Sequence, residues 1–169
     1  MAEALFQQKQ PRSSKIEVRS AGIYKFKHFP VSPDAIAILA EYGIQYHKQP
    51  QNVNLELIAW ADLILTMTKF HKYILLARFP GIIDKTFTLK EFVAEDNLDI
   101  SDPVGKSLSR YRQCAQEIDS SLNLLQQKLI HACVETNSSS FPAPQPLPRI
   151  LPLLRWIMRL AELSQNRRS

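Results

Sequence analysis

Glycine is scarce in this chain, with four residues in 169. Those four build no Gly-rich loop and no Walker A pattern, which excludes the usual nucleotide-binding phosphate cradle. Cysteine is scarcer still: Cys114 and Cys133 are too few for a disulfide framework or a metal cluster. The histidines (His28, His47, His71, His131) are scattered, with neither His-x-x-x-His nor Cys-x-x-Cys spacing near them. No metal cluster is therefore expected. Long apolar runs are absent too, and the N-terminus lacks a signal-peptide pattern, so a reducing cytoplasm is the expected location.

The net charge of +5 is unevenly spread. Residues 137–169 hold five arginines (Arg149, Arg155, Arg159, Arg167, Arg168) against the single acid Glu162, a balance of +4 that leaves +1 for the first 136 residues. Basic character belongs to the tail, and a nucleic-acid-binding main domain loses its support. At 45% hydrophobic and 22% charged, the chain has apolar material for one globular core with a short appendage.

Along the chain, strand and helix patterns alternate. Residues 2–9, AEALFQQK, are helix formers with no cap before them. Ile16–Ser20 alternates like a strand and stops at Ala21-Gly22. Ser32-Pro33-Asp34 opens a helix with Ala35, Ile36, Ile38, Leu39 and Tyr42 on its apolar side and Gly43 as its stop. A short helix near Leu55–Trp60 leads into Asp62–Met67, whose apolar run reads as a buried strand. Thr68 caps a helix with Phe70, Tyr73, Ile74 and Ala77 inward, ended by Pro80, and Thr86–Leu89 is a weaker strand. Leu108, Tyr111, Ala115, Ile118, Leu122, Leu125 and Leu129 then step by three and four through six turns of amphipathic helix, with Cys114 beside that stripe as a small buried side chain. Such alternation predicts an α/β fold with a parallel sheet, of which only three strands are legible.

Composition divides the chain into a domain over 1–136, a Ser/Pro-rich linker over 137–148 and a basic amphipathic C-terminal helix over 149–169. Leu151–Leu163 reads as a helix. Arg155, Arg159 and Glu162 form its narrow polar stripe, while Leu153, Leu154, Trp156, Ile157, Met158 and Leu160 cover much of the rest. Such a segment needs a surface to bury it: its own domain, a protein partner, or a membrane surface for 149–163.

Chemistry is concentrated in Asp99-Ile100-Ser101-Asp102-Pro103-Val104-Gly105. An Asp-Pro in a loop can present a carboxyl group over a pocket, and it can equally serve as a turn or helix-capping residue. Several blocks resemble the low-molecular-weight protein-tyrosine-phosphatase family, especially its bacterial members, including those acting on phosphoarginine. They are MAEALF at 1–6, VRSAGI at 18–23, SPDAIAILAEYGI at 32–44, ADLILTMTKFHK at 61–72, FTLKEF at 87–92, DISDPVG at 99–105 and YRQCAQEI at 111–118. The resemblance implies a three-layer α/β fold, a phosphorylated protein as substrate, no cofactor, and a phospho-cysteine intermediate. Asp102 matches the general acid, and Phe26 falls near the aromatic wall of the substrate pocket, where a core or surface aromatic is an equal reading.

In that family MAEALF follows a central strand and a Cys-x5-Arg-Ser-Pro loop that carries the nucleophile and the phosphate-clamping arginine. Neither occurs here: the sixth residue after Cys114 is Ser120, and after Cys133 it is Ser139. Met1 reads as the internal methionine after that loop, taken as a start. From this the chain is expected to be inactive as written and, without its central strand, to fold poorly. The rival expectations are a non-catalytic remnant that binds a partner, and a membrane-peripheral phosphatase localised by 149–163.

Overall fold

The computed structural model describes residues 1–11, 14, 16–23, 31–135 and 155–158. Six helices and four strands follow in the order α1 (Ala2–Lys9), β1 (Glu17–Arg19), α2 (Pro33–Glu41), α3 (Leu55–Trp60), β2 (Leu63–Thr66), α4 (Lys69–Arg78), β3 (Thr86–Thr88), α5 (Leu89–Phe92), α6 (Leu108–Glu135) and β4 (Arg155–Met158), with a 3-10 turn over Pro80–Lys85 before β3. The strands form one sheet, ordered β1-β4-β2-β3, and every pairing is parallel.

All four residues of β2 are buried, which is why Leu63-Ile64-Leu65-Thr66 reads as an apolar run rather than an alternation. Alternate side chains still serve opposite faces. Leu63 and Leu65 pack with Val18, with Leu5 and Phe6 of α1, and with Ile118, Leu122 and Leu125 of α6. Ile64 packs on the other face with Leu57 and Ile58 of α3 and Leu75 of α4. Helix, sheet, helix: the fold is a three-layer α/β sandwich. Helix α2 joins the first layer, where Ala35 and Ile38 meet Tyr111 and Ala115 of α6. It ends where Gly43 takes φ +73°, letting the Ile44 N–H reach the Leu39 carbonyl at 2.9 Å.

Three helices differ in part from the sequence expectation. In α4, Phe70 and Tyr73 are 60% and 71% exposed, and the buried residues are His71 and Leu75. Apolar residues surround this helix, so periodicity left its phase undetermined. The Thr68 hydroxyl fixes the entry by accepting from the His71 N–H at 3.1 Å. Ile36 in α2 and Leu108 at the start of α6 are likewise exposed at about 40%, while the rest of the α6 stripe is buried as expected.

The larger correction concerns the sheet. It has four strands, and the position expected to be empty is filled by Arg155–Met158, part of the segment expected to be helical. Trp and Ile suit a strand, and a short apolar run fits helix and strand equally by periodicity. A helix would leave the facing N–H and C=O groups of β1 and β2 unpaired. Each buried unpaired group costs roughly 1–3 kcal/mol, and a domain's net stability is only about 5–15 kcal/mol. The linker at 137–148 and the rest of 149–169 lie outside the described residues.

Leu122 is fully buried between α1 and the sheet, whereas Leu124 on the same helix is 41% exposed. Leu122→Ala should cost about 2–5 kcal/mol, read as a fall in the urea midpoint, and Leu124→Ala should move it far less.

Candidate active site

Ligands of open parallel sheets sit outside the carboxyl ends of the strands. Three connections converge there. At the end of β1, the Ser20 hydroxyl donates to Glu3 Oε2 at 2.6 Å, and Lys48 pairs with the other oxygen of the same carboxylate. Glu3 lies in the first turn of α1 and is 5% exposed, so this contact holds the α1 N-terminus against the sheet edge. Just beyond, Gly22 takes an N–H···O bond to Gln51 and accepts one from Val53, both 2.7 Å, which ties the outgoing chain to the segment before α3.

At the end of β2, the Met67 carbonyl accepts from the Ile100 N–H at 2.8 Å, and Asp99 Oδ1 accepts from the Lys69 N–H at 2.7 Å. These two bonds pin the acidic loop to the strand end and to the start of α4. Asp102 follows two residues later. Its Oδ1 accepts from the Val104 N–H at 3.0 Å, an Asx turn, and its Oδ2 is shut off from solvent. Pro103 is buried behind it, and Gly105 turns the chain with φ +74° before α6 begins. Both readings of Asp102 are thus compatible with its place: it is a turn residue, and its loop is pinned at the carboxyl end of β2.

Cys114 is close by but chemically quiet. Its thiol is 5% exposed and donates to the Ser101 carbonyl at 3.5 Å. Burial, aided by the negative charges of Glu117 and Asp102, pushes its pKa up from 9.0 to about 12, against a weaker opposite pull from the Met1 amine. A thiol that holds its proton at neutral pH is no nucleophile. Phe26 lies outside the described residues. Among the described residues no group of three or more His, Cys, Asp or Glu side chains gathers to hold a metal, and no helix is long and apolar enough to cross a membrane.

Two cavities differ in position and size. One of about 20 Å³ lies under the end of β2, lined by Ala21, Val53, Thr66, Met67 and His71 among others, and is far too small for a phosphorylated side chain. A groove of about 390 Å³ lies at the other end of the sheet, between the end of α1 and the start of β1, away from Asp102. Glu3, Ser20, Lys48 and Asp99 escaped the sequence reading as positioning residues. An acid in the first turn of α1 was the one local signal available for Glu3.

The family model described as low molecular weight phosphotyrosine protein phosphatase matches residues 1–134. The chain belongs to this family. Protein-arginine-phosphatases of Geobacillus stearothermophilus and Bacillus subtilis are 38% and 37% identical, each over 76% of this chain, covering 86% and 87% of those proteins. The low molecular weight protein-tyrosine-phosphatase PtpB of Staphylococcus haemolyticus is 32% identical over 60% of this chain and 71% of its own. Among solved structures, the arginine phosphatase of Geobacillus stearothermophilus superposes with a TM-score of 0.75 at 35% identity, covering 82% of this chain and 89% of that one. Another arginine phosphatase structure is a mutant with a phosphorylated active-site serine (TM-score 0.72, 36% identity, 76% of this chain and 85% of that one). Membership of a phosphatase family makes phosphorylated proteins the substrate class of this fold.

The raised Cys114 pKa has a defined consequence. Between pH 9 and 12 the unfolded thiol loses its proton while the folded one keeps it, so stability falls as pH rises through that window. Iodoacetamide at pH 8 should leave Cys114 unmodified in the folded protein and label it in urea, as read by peptide mass mapping; rapid labelling without denaturant would contradict the assignment.

Proposed function

We propose that this domain serves phosphoprotein hydrolysis through Asp102 as general acid, and that residues 1–169 by themselves do not catalyse it. The observation that carries the reading is the place of Asp102 in a loop that Asp99 and Ile100 fix to the carboxyl end of β2 and the start of α4. In the family reaction a cysteine thiolate forms the S–P bond as the bond to the leaving atom breaks. A carboxylic acid gives that atom its proton, then takes one from the water that attacks the S–P bond. Asp102 suits both proton transfers.

The other half of the chemistry has no candidate in the sequence. No Cys-x5-Arg occurs in the 169 residues. Cys114 is protonated and turned toward Ser101, so it offers no substitute. As substrate we favour phosphoarginine over phosphotyrosine. Two relatives at 38% and 37% identity are protein-arginine-phosphatases, and Val104-Gly105 after the Asp-Pro brings no aromatic ring to stack on a phenol.

The occupied central position is compatible with the non-catalytic reading: β4 carries no cysteine, so a sheet completed this way has no nucleophile on its central strand.

Incubation of the 169-residue chain with p-nitrophenyl phosphate should give no turnover above a blank; measurable turnover would overturn the inactive reading. If a strand and Cys-x5-Arg-Ser-Pro loop of the family pattern are joined before Met1, Asp102→Asn should lower kcat by about 10²–10⁴-fold. Equal turnover with and without the substitution would remove Asp102 from the acid role.

A further inference from the structure

The gap between β1 and β2 has two backbone edges and one occupant. Glu17, Val18 and Arg19 pair with Arg155, Trp156 and Ile157 on one side. Leu63, Ile64 and Leu65 pair with Trp156, Ile157 and Met158 on the other. The two registers agree, since Trp156 is opposite both Val18 and Leu63, and Ile157 is opposite both Arg19 and Ile64. Among the described residues β1 has no other ladder partner, and three residues of strand have no stability alone.

The chain can reach this gap without crossing the sheet. Near its start, α6 sits at the carboxyl edge, where Cys114 donates to Ser101. Farther along, Gln126 donates to the carbonyl of Lys9 at the opposite end of α1. Helix α6 therefore runs against the strands and delivers the chain to the amino edge, where a parallel strand must begin. Residues 136–154 can extend to about 60 Å, against a spacing of roughly 4.8 Å between neighbouring strands.

We infer that the gap between β1 and β2 is a strand-binding site, that its occupant is the chain's own segment Arg155–Met158 docked within the same molecule, and that this docking excludes any other strand from the centre of the sheet. Both edges of the gap are consumed by one strand. A nucleophile-bearing strand of the kind the family resemblance implies needs the same two edges, so the tail segment and such a strand compete for a single place. The inference is read by amide exchange and mass rather than turnover, so it stands apart from the catalytic proposal.

Amide exchange followed by NMR on the full 169-residue chain tests it. Amides at 155–158 should exchange about 100-fold or more below free-peptide rates, alongside those of 17–19 and 63–66. Ile157→Pro removes one ladder N–H and should accelerate exchange at 17–19 and 63–66 together. Because the proline variant can collapse the whole fold, the exchange map of the unmodified chain decides first. Free-peptide exchange at 155–158 with 63–66 still protected would overturn the inference. Sedimentation should find a monomer with these amides protected; protection found only in a concentration-dependent dimer would place the strand between molecules and overturn docking within one.

Discussion

Strand β2 is buried on both faces and paired on both edges, and the other elements take their places from it. Its side chains are divided between the α1/α6 layer and the α3/α4 layer. Its backbone is divided between β3 and β4. No water reaches the middle of such a strand, so each N–H and C=O must find a partner in the protein. Removing either neighbour would leave polar groups in an apolar interior, at a cost comparable to the stability of a small domain. This explains why the sheet recruits a strand from the distant tail.

The same strand aims the candidate chemistry. The Met67 carbonyl just past its end holds Ile100, and the helix that follows holds Asp99, so the loop over 99–105 takes its position from the end of β2. On the neighbouring side, Ser20 and Lys48 hold Glu3, so the first turn of α1 inherits its position from β1. The first turn of α1 and the loop over 99–105 are both anchored at the carboxyl edge because two strands of one sheet end there. The one described thiol in this region, Cys114, is buried and holds its proton.

Family membership and sheet completion come from different parts of the chain. The family match ends at residue 134, and the central strand comes from residues 155–158. A basic tail of +4 that looked like an appendage supplies a strand of the core sheet.

Local chemistry made most elements legible. The buried run at 63–66, the Gly43 stop, the Thr68 cap and the three-four stepping of α6 each depend on residues a few positions apart, and each can be read from the chain alone. The resemblance carried Asp102 to its candidate role on the strength of the DISDPVG block. Phase and pairing were not legible. His71 rather than Phe70 or Tyr73 faces inward because a cap and a neighbouring layer set the rotation of α4, which its mixed apolar surface left open. Glu3 and Ser20 meet across seventeen residues, which no local pattern encodes. Arg155–Met158 looked helical because periodicity cannot separate helix from strand in a short apolar run; two unpaired strand edges, brought together only in the folded sheet, decided the matter. Sequence alone determined the fold class and the family, and singled out the loop over 99–105. Tertiary structure decided which segment holds the centre of the sheet, because a β-strand is defined by its neighbours and these lie more than ninety residues away.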